Sequence, residues 1–166
     1  PRMLEHNNVS AAGSAWETAG VCGINLTRDG TPGGYLQCDI GGATTSWHYI
    51  PCGGDWRTGQ FRTHDLNRIP AGYGGEAGSN AVLLNIFNWD PAWKVSVREN
   101  GREIPVKRIM TADPLYAKAA IGSTLMRAPS LRPVRSPHLF RAQAATPDAA
   151  LEIEVTDRFG NLFRER

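Results

Sequence analysis

Alternation with a period of two residues is the feature that most narrows the folds open to this chain. In residues 34–40, Leu36, Cys38 and Ile40 fall on one side and Tyr35, Gln37 and Asp39 on the other, which predicts a half-buried strand with Cys38 in the core. Residues 81–88 are apolar on both sides, Val82, Leu84 and Ile86 opposite Leu83 and Phe87, as in a strand covered on both faces. In residues 93–99, Trp93, Val95 and Val97 turn inward while Lys94, Ser96 and Arg98 turn out. Asn100-Gly101 follows, a pair suited to a tight type I′ turn because both central residues need positive φ. Residues 102–108 then return as the partner strand, and Pro105, with no amide to donate, makes that partner an edge strand or a bulged one. Leu151, Ile153 and Val155 alternate with Glu152, Glu154 and Thr156, and a turn over 157–161 leads to a last strand near 162–165. Weaker strand patterns lie at 6–12, 46–50, 59–63 and 137–144.

One stretch reads as helix. Asp113-Pro114 is an N-cap and first-turn pair, followed by Leu115-Tyr116-Ala117-Lys118-Ala119-Ala120 and stopped by Gly122, so one short helix is predicted near 113–121. Nine or ten short strands joined by Gly- and Pro-containing turns predict an all-β chain, a β-sandwich. The 18 Gly and 11 Pro fit that reading, and 166 residues suit one domain with a strand or two added. No apolar run approaches the length that crosses a membrane as a helix. The chain begins at Pro1 and reads as a piece of a longer protein.

The charge is nearly balanced, 18 basic against 16 acidic residues. Between Asp113 and Asp148 there is no acid, and Lys118, Arg127, Arg132, Arg135 and Arg141 fall in that interval. Arg127, Arg132, Arg135 and Arg141 form a candidate anion patch. A solvated loop spaced by Pro129, Pro133 and Pro137 is the favoured reading, and nucleic acid is not an expected partner. Cys22, Cys38 and Cys52 show neither a C-x-x-C pair nor a matching His doublet, so they do not predict a zinc site.

Catalytic chemistry leaves little trace. His6, His48, His64 and His138 are scattered singly, and the short strand-end motifs that assemble a hydrolytic metal centre are missing. His64-Asp65 is the nearest approach to a ligand pair, and it reads better as a polar strand end. No nucleophile elbow or phosphate loop is present. Cys52 with His48 or His64 would need convergence that the spacing does not demand, which leaves a small stand-alone hydrolase as a remote alternative. The aromatics are more suggestive. Trp16 and Trp56 sit among small and polar residues, either as stacking platforms for a sugar or base or as covers for the sandwich ends and an interdomain face. The second reading is preferred. A carbohydrate-binding or adhesion module using exposed tryptophans is the alternative.

Several pieces in order carry a resemblance: E-H-N-N-V-S-A-A-G-S-A-W from Glu5 to Trp16, D-G-T-P-G-G-Y from Asp29 to Tyr35, N-I-F-N-W-D from Asn85 to Asp90, W-K-V from Trp93, Asp113-Pro114, P-H-L-F from Pro137, and V-T-D-R-F-G-N from Val155 to Asn161. Together they resemble the C-terminal domain of bacterial calcineurin-like metallophosphoesterases, over nearly the whole chain. One departure is Glu17, where the family commonly has a second tryptophan.

The resemblance implies that residues 1–12 are the tail of a preceding catalytic domain and 13–166 a C-terminal accessory β-sandwich. It also implies that the divalent metals (Mn, Fe or Zn) of a two-metal hydrolase belong to that catalytic domain, which would be the partner in the same polypeptide. No catalytic or metal-ligating residue is carried over to this chain. Trp16, Asp29 and Tyr35 are expected on the interdomain or substrate-cleft face, with Trp56 as a candidate stacking residue. Export to the periplasm or beyond is what the relatives suggest.

Overall fold

The computed structural model describes residues 26–69, 80–121 and 131–165. The 1–12 tail with its strand pattern at 6–12, and Trp16, Cys22 and Arg127, lie outside the described residues. Two antiparallel four-stranded sheets face each other. One is built from β3 (Phe61–Asp65), β4 (Ala81–Ile86), β8 (Arg135–Gln143) and β7 (Val106–Ala112), in that order. The other runs β10 (Leu162–Glu165), β9 (Leu151–Thr156), β5 (Lys94–Glu99) and β6 (Arg102–Ile104). The all-β sandwich that the alternation predicts is the observed fold.

The core between the sheets is what the period of two supplies. Val82, Leu84, Ile86, Phe140 and Ala142 from the first sheet meet Val97, Ile153, Val155 and Phe163 from the second, all buried. Trp93 packs against this core and stacks on Phe163, with ring centroids 6.1 Å apart. β4 is buried along its whole length, because its other face, Ala81 and Leu83, joins Leu66 and Leu139 in a second apolar cluster outside the sandwich. Asn100 (φ 51°) and Gly101 (φ 75°) both adopt the positive φ that the tight β5–β6 turn requires.

The segment 102–108 departs from the expected single partner strand. It breaks at Pro105: β6 pairs with β5 in one sheet, and β7 pairs with β8 in the other. Proline cannot donate to a ladder, so the chain leaves the β5–β9 sheet there and resumes beside β8.

Among the described residues, β1 (Gly34–Gly41) and β2 (Thr44–Pro51) pair only with each other, as a separate antiparallel arm. This overturns the expectation that Cys38 is a core residue, since Cys38 is exposed. Leu36, Cys38 and Ile40 do share a face, but among the described residues no second layer covers it. Helix α1 (Pro114–Ile121) follows β7 and buries Tyr116 and Ala120 with Leu26.

Candidate functional site

The most concentrated polar chemistry among the described residues lies where the turn around Asp29 seats on the outer face of the β3-β4-β8 sheet. The turn closes on itself first. Leu26 and Pro32 form an antiparallel bridge, the Gly30 amide donates to the Thr27 carbonyl at 2.8 Å, and the Thr31 amide donates to Asp29 Oδ1 at 3.0 Å. The Thr27 hydroxyl also bonds Asp29 Oδ1. An aspartate that caps its own turn is the reason D-G-T at this point reads as a turn signal.

Three neighbouring strands then hold the turn. Arg62 on β3 donates to the Gly30 carbonyl at 2.7 Å, and Asn85 on β4 donates to the Asp29 carbonyl at 2.9 Å. His138 Nε2 on β8 bonds Asp29 Oδ2 at 3.2 Å. Arg62 and Asn85 are direct cross-strand partners, so they share a face by construction, and His64 lies two residues along the same face. His138 sits where the β7–β8 register shifts: Ile109 opposes Leu139 but Thr111 opposes Ser136, which leaves one extra residue on β8. Such a bulge re-aims a side chain that strict alternation would point elsewhere.

Beneath the turn is Asp113, fully buried. One carboxylate oxygen accepts from His64 Nε2 at 2.9 Å and from the second amide hydrogen of Asn85 at 2.8 Å, with Arg62 at 3.9 Å. The other accepts the Tyr116 amide at 2.9 Å, which makes Asp113 the N-cap of α1 as its sequence position predicts. Asn85 therefore ties the two carboxylate sites together. Asn85 Oδ1 and His138 Nδ1 are buried without a hydrogen-bond partner, leaving one spare polar atom on each.

Burial by itself raises the pKa of both aspartates. For Asp29 the hydrogen bond and charge of His138, with Thr27 and Thr31, outweigh it, and the carboxyl lies well below the usual range. For Asp113, His64, Asn85 and the Tyr116 amide do the same. A carboxylate whose folded pKa is lowered contributes stability that is complete above its unfolded value, about 3.9, and is lost as pH falls through the folded value. Urea midpoints measured against pH are therefore expected to be flat in this contribution above about pH 5 and to drop below about pH 4. Asp29→Asn should be less stable at neutral pH and show a shallower acid limb, whereas an unchanged limb would contradict the assignment.

The expected site residues are placed as follows. Asp29 turns into this network, so its side chain serves the turn from within. Tyr35 is on the arm and 51% exposed. Trp56 packs against the sandwich core, stacks on His48 with centroids 4.1 Å apart, and has the Arg57 guanidinium 4.7 Å from its ring, so the indole is already stacked from within the chain.

Arg135 and Arg141 stand near opposite ends of β8, about 20 Å apart at ~3.3 Å per residue. The Arg135 guanidinium is engaged by the Met110 carbonyl at 2.6 Å. Arg141 lies opposite Lys107, and exposed Arg132 receives Arg28 on its carbonyl. No hydrogen bond joins Cys52 to His48 or His64. His64 pairs with Asp113 and not with Asp65, which instead caps the 3-10 turn Leu66–Arg68.

Among the described residues no group of three or more His, Cys, Asp or Glu side chains could hold a metal ion. The two Asp–His contacts are pairs closed on themselves within a hydrogen-bonded network, a donor set that does not fit the two-metal centre of a phosphoesterase. No described helix is long and apolar enough to cross a membrane.

Residues 5–163 match the family described as the C terminal of calcineurin-like phosphoesterase. The chain belongs to that family, and the family's metals belong with its catalytic domain. No curated protein and no solved structure matches the chain.

Proposed function

We propose that this chain is a non-catalytic accessory domain that packs against the catalytic domain of a calcineurin-like, metal-dependent phosphoesterase in the same polypeptide, and helps to shape its substrate cleft. The observation that carries this reading is the internal use of its acid and histidine chemistry. Asp29 with His138, and Asp113 with His64, spend these groups on one another and hold a turn onto a sheet. The turn they hold lies at the N-terminal end of the described residues. Trp16, the Asp29 turn and exposed Tyr35 would form the side toward that domain.

The isolated chain, assayed on a generic aryl phosphoester with added Mn²⁺ or Zn²⁺, is expected to give no turnover above the metal ion alone. Turnover abolished by His64→Ala or His138→Ala would overturn the non-catalytic reading.

A further inference from the structure

Among the described residues, the β1–β2 arm adds a strand to neither sheet of the sandwich. Its root is fixed. Trp47 meets Phe159 edge-on at 4.7 Å and lies under Arg158, the Tyr49 hydroxyl bonds the Pro32 carbonyl, and Gln60 donates to the Tyr49 carbonyl at 2.7 Å. Beyond that root, every residue from 37 to 45 is exposed, a projection of about 15 Å at ~3.3 Å per residue.

Three properties mark this distal half as an interface. A two-stranded hairpin alone is marginally stable in water. Proteins usually guard free strand edges with lysine, proline or a bulge, yet the sole charge between Tyr35 and Ser46 is Asp39, and β1 pairs with β2 without a register shift. The two faces also differ. Gln37 bonds Asp39 on one, while Cys38 and Ile40 lie on the other, with Ile40 78% exposed.

We propose that the distal half of this arm, through the Cys38–Ile40 face, docks on the preceding catalytic domain of the same polypeptide. This inference rests on the accessory-domain reading above. The chain path favours that occupant over a second copy: the Leu26–Pro32 bridge brings the chain that enters the described residues to within two residues of the start of β1, at the arm's root. Linkage within one polypeptide raises the effective concentration of a partner to as much as roughly millimolar, above what a second copy offers in dilute solution.

The test uses the full-length polypeptide with its other cysteines replaced. Cys38 carries a benzophenone maleimide, and a parallel protein carries the same label at Glu152→Cys, on the outward side of β9, with Cys38→Ser. After irradiation, Cys38 adducts are expected to map to the catalytic domain, to be independent of protein concentration, and to fall at least tenfold with Ile40→Asp but not with Ile40→Val. Because Ile40 is exposed, the domain's circular dichroism should be unchanged in both variants. Catalytic-domain adducts from position 152 alone would overturn the arm inference and leave domain packing intact. Concentration-dependent adducts between copies would assign the face to a second molecule and overturn it as well. No catalytic-domain adducts from either position would overturn both readings.

Discussion

Asp113→Ala is expected to destabilise the domain by about 3–5 kcal/mol, the range for removing one partner of a buried charged pair. The carboxylate is fully buried and accepts from His64, Asn85 and the Tyr116 amide, so its loss removes the α1 cap and strands two buried polar side chains together. For a chain of this length that corresponds to a fall in Tm of roughly 10 °C. Thermal unfolding followed by circular dichroism and urea titration would measure it. Asp113→Asn keeps the shape and an acceptor oxygen while losing the charge, and should fall between wild type and alanine. Asp39→Ala, on the exposed arm, should shift stability by less than about 0.5 kcal/mol. If Asp113→Ala behaves like Asp39→Ala, the network holds nothing together.

Gly30→Ala should cost about as much by a different route. Gly30 has φ +85°, where an L side chain is strained, and a β-carbon there would overlap the Asp113 carboxyl group. Backbone strain and overpacking contribute about 1–3 kcal/mol each. The two substitutions meet at one contact, so they should not add. Truncating Asp113 removes the group that the new methyl strikes, and the double variant is expected to be at least 1 kcal/mol more stable than the two single effects would give together. Additive effects would mean that the turn does not sit on Asp113.

The sandwich was largely legible because its core is built by local alternation: Val97, Ile153, Val155 and the β4 residues announce their faces in sequence. The Asn100-Gly101 turn and the Asp113 cap were legible for the same reason, each being a short-range rule. The latch was not. Asp113 and His64 are 49 residues apart and Asp29 and His138 are 109 apart, and no local pattern relates them. Asp65, adjacent to His64 in sequence, caps the Leu66–Arg68 turn instead. His138 was hidden further, since a bulge sets its direction. Cys38 misled because alternation reports that a strand has two faces and not whether anything covers them. Pro105 was recognised as a break in the ladder, but whether the chain bulges or changes sheet depends on where β8 lies.

The strand order has a consequence for how the chain acquires its structure. β4 finds its second neighbour only in β8, and β5 finds its own in β9, each more than 50 residues later. Two of the early pairings, β1–β2 and β5–β6, close locally, whereas both sheets wait for the last third of the sequence. Such non-local pairing folds slowly, on the millisecond-to-second scale. On a ribosome adding ~5–20 residues per second, β4, buried along its whole length in the folded domain, is made several seconds before β8 exists to cover its edge. Both sheets therefore close only once β8 and β9 have been made, with β4 and β5 waiting unpaired on one edge until then.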